Sequence, residues 1–325
     1  MNKLVIFDGN ALMHRAFHAL PPLTTKKGEP INAVYGLVSM LLNVTENLKP
    51  THIIFCFDEK EKTFRSKLLP SYQSQRPETA NELVGQFGKA RDFLKAVNIP
   101  IYSKSGYEAD DVIGTIATKV AQDIKIQSDK DIKKNHTLNI SISQYPYIFE
   151  TVIVTGDRDI LQIVDDAKNI KLFMPIAGLS NGKIFTKKET IERMGVTPSQ
   201  IPDYKALVGD PSDNYFGIPG IGPKTAIGLL EKYGTLDGIY KHLKDFPEKL
   251  KEKLTGGKGS AELSYKLATI DRKVPIKYDI ESADKWDLSS DGVLELFSEF
   301  GFKTLSVRIR RLAELIEKEK QGSLF

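Results

Sequence analysis

An α/β fold, with a mostly parallel central sheet flanked by helices and a helical lobe after it, is what this 325-residue sequence predicts. The runs LVIF, HIIFCF and TVIVTG are apolar without alternation, the pattern of strands covered on both faces. Segments of helical period separate them, so the chain crosses over between strands that run parallel. From about residue 185 the strand runs cease, and short helices punctuated by Gly, Pro and Thr take their place.

In chain order, LVIF leads into the helix ALMHRAFHAL, a second helix covers residues 33–48, and HIIFCF is the next strand. A helix over residues 81–97, a short PIYS strand and a helix from residue 108 to about 122 follow. TVIVTG, a short ILQIV helix and the strand NIKLFM complete a first unit, residues 1–184. Residues 185–325 form a second unit, with TKKETIERMG, PSQIPDYKALVG, GPKTAIGLLEKYG, TLDGIYKHLKDF and SAELSYKLATIDRK as helices and two more over residues 290–320. Residues 59–80 break the rhythm: they are polar and carry Lys60, Lys62, Arg65, Lys67 and Arg76 around Phe64 and Tyr72. So long a loop in a compact domain is usually functional or disordered. Residues 123–150 read as a surface insertion, and KEKLTGGKGS as a mobile loop.

The single cysteine, Cys56, lies inside HIIFCF, which excludes disulfides and a thiolate metal site and fits a reducing compartment. No apolar run approaches membrane-spanning length and the amino terminus is too short for a signal peptide, so a cytoplasmic protein with no membrane partner is expected. The net charge of +4 is unevenly placed: residues 216–273 hold eleven Lys and Arg against seven Asp and Glu, the whole excess. A basic lobe beside an acidic centre points to a polyanionic substrate.

That acidic centre is the strongest signal. Nine carboxylates fall in short clusters: Asp8, Asp58, then Glu108, Asp110 and Asp111, then Asp157 and Asp159, then Asp210 and Asp213. Three of the clusters follow the buried strand runs, which places them at the carboxyl edge of one sheet. Carboxylates so close repel unless cations lie between them, and oxygen-only ligands select hard ions such as Mg²⁺ or Mn²⁺. The second signal is GIPGIGPKTA, residues 217–226, in a helix-hairpin-helix placed at 216–234. Gly217, Gly220 and Gly222 let backbone N–H groups approach a phosphate, the following helix adds its dipole, and Lys224 and Thr225 stand at its start. Such a hairpin grips a nucleic-acid backbone without reading bases.

With these residues in view, the chain resembles the 5′-nuclease family: the amino-terminal domain of bacterial DNA polymerase I, phage 5′-nucleases and flap endonucleases. The resemblance rests on FDGNALMHRAFHALPPLTTKKGEPINAVYG, FDEKEKTFRSKLLPSYQSQRP, GYEADDVIGTIA, TGDRDILQIV, DYKALVGDPSDNYFGIPGIGPKTA and LSYKLATI, in one order along nearly the whole chain. It implies a PIN-like 5′-nuclease fold in which all nine acids bind two divalent ions. Asp8, Asp58, Glu108 and Asp110 or Asp111 would hold the more intimate ion, and Asp157, Asp159, Asp210 and Asp213 the second. Arg15 matches a basic residue near the scissile phosphate. Residues 59–80 match the start of an arch, placed near 59–98, under which a single-stranded 5′ end passes. Arg65 and Arg76 would be its cations, and Phe64 and Tyr72 would stack on bases or pack locally. The family's arch reads Tyr-Lys where this chain has Tyr72 and Gln73, and Gln73 cannot neutralise a phosphate. The hairpin backbone in this family often binds K⁺.

The implied activity is metal-assisted hydrolysis of DNA at 5′ flaps, nicks and ends, RNA-primed DNA included, by a monomer. Competing readings are a nuclease-inactive structure-specific DNA-binding module, a 5′-nuclease fragment of a DNA polymerase I, an RNA-processing nuclease and a phosphatase of small metabolites. The chain stops at QGSLF, in which Gln321, Leu324 and Phe325 resemble the peptide by which bacterial replication and repair proteins dock on the sliding clamp. That resemblance implies a clamp partner and a stand-alone nuclease.

Overall fold

The computed structural model describes residues 2–134, 148–177 and 181–322, with backbone alone over residues 123–134, 148–149, 177, 181 and 319–322. The elements run β1 (Asn2–Asp8), α1 (Gly9–Ala19), α2 (Asn32–Leu48), β2 (His52–Cys56), α3 (Phe64–Leu68), α4 (Asn81–Ala96), β3 (Ile101–Tyr102) and α5 (Ala109–Lys134). Then come β4 (Ile148–Val154), β5 (Ile170–Ala177), β6 (Asn181–Phe185), α6 (Lys187–Met194), α7 (Ile201–Val208), β7 (Gly209–Asp210) and β8 (Tyr215–Phe216). The lobe and tail follow as α8 (Pro223–Tyr233), α9 (Leu236–Lys241), α10 (Glu248–Gly256), α11 (Lys258–Ala268), α12 (Asp291–Phe300) and α13 (Lys303–Gly322).

The expected sheet is present, in the order β3-β2-β1-β4-β5-β6 and parallel except for β6, which pairs antiparallel with β5. Leu4, Val5, Ile6 and Phe7 of β1 are wholly buried because helices cover both faces, which is why LVIF shows no alternation. One face packs on α5 and the lobe, through Ile113, Ile116, Leu161 and Leu207 among others. The other packs on α1, α2 and α4, with Phe7 stacked on Phe55 at 4.5 Å.

Three expectations are corrected. The tail helices α12 and α13 do not join the lobe of residues 185–325. They return to the α/β core, where Phe297 stacks on Phe93 at 5.7 Å, Phe302 meets Tyr35 edge-on at 5.2 Å, and Trp286 Nε1 donates to the Thr51 carbonyl at 3.1 Å. KEKLTGGKGS is helix rather than loop: α10 and α11 join at Gly257, where a Cβ would stand 2.6 Å from the Ile218 side chain, and Leu254 is fully buried. The helix expected to stop near residue 122 continues to Lys134, so the insertion begins as an extension of α5.

Candidate metal centre and nucleic-acid interface

The sheet's carboxyl edge gathers the acids. Asp8 ends β1 and caps α1: its Oδ1 accepts from Ala11 N at 3.0 Å and its Oδ2 from Thr155 Oγ1 at 2.6 Å. Asp58, just past β2, is fixed at both ends, since its N–H donates to Asn10 Oδ1 at 3.0 Å and its Oδ1 accepts from Ala109 N at 2.7 Å, at the start of α5. Glu108 accepts from Thr63 Oγ1 at 3.3 Å and lies 3.2 Å from Arg65 Nη1. In the turn after β4, Asp157 Oδ1 accepts from Asp159 N at 2.7 Å. Capping and turn bonds explain where Asp8, Asp58 and Asp157 stand, but not why so many acids stand together.

Electrostatics separates this cluster from ordinary caps. Burial raises Asp8 and Asp110 above the usual carboxylate range, and their mutual charge together with that of Asp157 and Asp58 adds to the effect. Burial likewise raises Asp58, and it pushes Glu108 up to about 7 against the pull of Arg65. Such carboxylates are short of positive charge, and an oxygen-only set fits a hard divalent ion.

A second group lies beside the first, the Tyr72 hydroxyl reaching both Glu108 and Asp213. Asp159, Asp210 and Asp213 have carboxylate oxygens within 4.8 Å of one another, the one such trio among the described residues. The short ladder β7-β8 folds Asp210 and Asp213 to this edge, and Asp210 Oδ1 accepts from Ser212 N at 2.9 Å. Here sequence reasoning missed Lys205, a nearly buried residue of α7 whose ammonium donates to both Asp159 and Asp210. A lone lysine in DYKALV carries no signal of such a role.

Asp111 and Arg65 differ from expectation. Both are buried, Arg65 at 2% exposure and Asp111 at 0%, and they form a two-pronged pair, Nη1 to Oδ2 at 2.7 Å and Nη2 to Oδ1 at 2.9 Å. Asp111 also accepts from Glu108 N and Asp271 N, while Arg65 donates to the Leu267 and Thr269 carbonyls. With these bonds made, Asp111 has no oxygen to offer an ion and Arg65 no donor to offer DNA. Tyr72 is turned inward as well, its hydroxyl between Glu108 Oε2 at 3.4 Å and Asp213 Oδ2 at 3.3 Å, its ring over Tyr215. Phe64 packs on Tyr107 beneath the Arg65 guanidinium. Of the expected arch contacts, Arg76 alone stands out at the surface, 51% exposed and 2.5 Å from Asp213. Gln73 lines the same cleft as Asp58, Glu108 and Asp110 with its backbone in the left-handed region (φ 57), and its N–H donates to the Asp213 carbonyl at 3.0 Å. Arg15 lies beside Gly156, against the turn that carries Asp157.

The hairpin also divides. A strand precedes it instead of the expected helix; α7 is the first helix of the pair, and residues 209–216 intervene. Gly217 is a packing glycine, because a Cβ there would stand 2.3 Å from the Leu207 carbonyl. Gly220 has φ +77, and its carbonyl accepts from Lys253 Nζ at 3.1 Å. Gly222 caps α8 with no side chain of its own, open space lies over it, and Lys224 and Thr225 are exposed on the first turn. Uncapped amides beside a lysine make an anion site. One cleft joins it to the acids, lined by Asp157, Asp159, Lys205, Asp210, Gly222 and Pro223 among others.

A parallel sheet with an acidic carboxyl edge, beside a glycine hairpin on a helical lobe, is the architecture of a PIN-like nuclease. Family models agree: "5'-3' exonuclease, N-terminal resolvase-like domain" matches residues 3–195, and "5'-3' exonuclease, C-terminal SAM fold" matches residues 196–289. The chain belongs to the 5′-3′ exonuclease family. A 5'-3' exonuclease of Aquifex aeolicus is 35% identical over 100% of both chains. The DNA polymerase I of Caldicellulosiruptor bescii is 37% identical over 98% of this chain but only 34% of its own length, so the chain spans about a third of such polymerases. Among solved structures, zinc-bound T5 5'-exonuclease superposes with a TM-score of 0.62 at 18% identity, covering 96% of this chain and 99% of that one. The catalytic core of Rad2 in complex with DNA substrate gives 0.55 at 12% identity, covering 95% and 92%. No helix among the described residues is long and apolar enough to cross a membrane.

Proposed function

We propose that this chain is a structure-specific 5′-3′ exonuclease and flap endonuclease that hydrolyses DNA phosphodiester bonds with two divalent ions, Mg²⁺ or alternatively Mn²⁺. The observation that carries the reading is the cleft that runs from Asp157, Asp159 and Asp210 to the uncapped amino terminus of α8. Asp8, Asp58, Glu108 and Asp110 would hold one ion, and Asp157, Asp159, Asp210 and Asp213 the other. Asp111 drops out of the set, because its oxygens belong to Arg65 and two backbone amides. Bound there, the ions would lower the pKa of a water to make hydroxide near neutral pH and steady the leaving oxygen.

The chain's own residues bind and orient. Gly222, Lys224 and Thr225 hold duplex backbone without regard to sequence. Arg76 and Arg15 supply charge near the scissile phosphate, and Gln73 borders the cleft of Asp58, Glu108 and Asp110. The substrates are DNA with 5′ flaps, nicks or ends, including RNA-primed DNA, in replication and repair. A monomer in the cytoplasm, with K⁺ at the hairpin, belongs to the same reading. So does clamp docking through the tail, of which Gln321 is described in backbone alone and Leu324 and Phe325 lie outside the described residues.

The test is cleavage of a 5′-labelled flap, a 3′ flap, structured RNA and a nucleotide monophosphate, with and without Mg²⁺. Magnesium-dependent cutting of the 5′ flap alone is expected. Absence of any magnesium-dependent product would leave only a DNA-binding module. Preferred cutting of the RNA would mark an RNA-processing nuclease, and phosphate release from the nucleotide a phosphatase of small metabolites.

A further inference from the structure

Every acid of the second trio already has a protein cation. The Lys205 ammonium lies between Asp159 and Asp210, and Arg76 takes Asp213. Arg76 is half exposed and reaches Asp213 from the surface, but Lys205 reaches its acids from the nearly buried α7. An incoming divalent ion must therefore displace a unit charge that stands among its own ligands. A lysine can yield where an arginine would not, because its ammonium is a point charge on a flexible stem and not a fixed planar fork. It also has somewhere to go: the cleft it lines continues to Gly222 at the start of α8, along the path of a backbone held by the hairpin.

We propose that Lys205 is a built-in competitor for the second metal ion, which binds tightly only when a DNA phosphate gives the ammonium a new partner. The inference rests on the two-ion reading above and adds a coupling between ion and substrate. By linkage, DNA must strengthen second-ion binding and the ion must strengthen DNA binding by the same factor.

The experiment is Mn²⁺ titration of the full chain, by calorimetry and by electron paramagnetic resonance of spin-coupled Mn²⁺ pairs. It is run with and without a product duplex bearing a 5′-phosphate. The wild type should bind one ion tightly and a second at least about tenfold more weakly, and product DNA should close that gap. Lys205→Met should bind both ions without DNA, with DNA then adding little, while Lys205→Arg should keep the second site weak. Two equally tight ions in the DNA-free wild type, or a second ion indifferent to product DNA, would overturn the proposal even if Lys205→Met fails to fold. Unchanged second-ion affinity in a folded Lys205→Met would do the same. Loss of the two-ion reading itself looks different: the wild type would then bind no Mn²⁺, or Asp110→Ala would leave the first ion in place.

Discussion

Arg65 and Asp111 form a buried, two-pronged ion pair that ties the segment after β2 to α5 and, through the Leu267 and Thr269 carbonyls, to the end of α11. Removing one partner leaves the other charge buried and alone, which typically costs about 3–5 kcal/mol. Arg65→Ala and Asp111→Ala should each lower the melting temperature sharply, and Arg65→Lys should rescue little because the fork is lost. Metal affinity per folded molecule should stay close to wild type in Asp111→Asn. A stable Asp111→Ala that loses an ion would return Asp111 to the ligand set.

The hairpin glycines should part by role. Gly217→Ala should destabilise the fold, since its Cβ would stand 2.3 Å from the Leu207 carbonyl. Gly222 has open space, so Gly222→Val should fold and bind duplex more weakly whatever its sequence. Lys224→Ala should weaken binding too and flatten the salt dependence by roughly one unit of log–log slope. Binding isotherms at several salt concentrations check both, and a loss confined to particular base sequences would contradict them.

Metal-free stability should fall as pH rises. Glu108 titrates at about 7 in the fold against an ordinary value of 4.5, and burial raises Asp8, Asp58 and Asp110 in the same direction. A carboxyl raised by folding binds more protons folded than unfolded between those values, so its ionisation opposes the fold across that window. In EDTA the melting temperature should drop between about pH 5 and pH 7, and added Mg²⁺ should raise it most at the upper end. A flat profile with no magnesium effect would contradict the cluster's electrostatics.

Gln73→Lys should raise turnover more than affinity, because residue 73 borders the cleft of Asp58, Glu108 and Asp110. Single-turnover rates decide it. An unchanged rate would mean that Arg76 already supplies the charge.

What the sequence made legible is what local pattern encodes. The unalternating strand runs gave the parallel sheet, and acids placed just after them had to meet at its carboxyl edge, as Asp8, Asp58 and Asp157 do. Partner choice left no such trace. Arg65 and Arg76 look alike in a polar loop, yet one is buried against Asp111 and the other stands at the surface, because only the packed fold brings α5 and α11 to Arg65. Lys205 was invisible for the same reason. Two helices over residues 290–320 were legible but not what they pack against, and their return to Phe93 and Tyr35 follows from long-range packing. KEKLTGGKGS misled because paired glycines mark loops, whereas here Gly257 permits close approach to Ile218.

If acids at the sheet edge hold the ions that cut DNA, Asp110→Ala should separate binding from cleavage on a 5′-labelled flap with Mg²⁺, with both measured in the same samples by equilibrium binding and single-turnover kinetics. Binding should be equal to wild type or tighter, since a repulsive charge is gone, while cleavage is lost. Cleavage at the wild-type rate would mean that these acids do not hold the cutting ions.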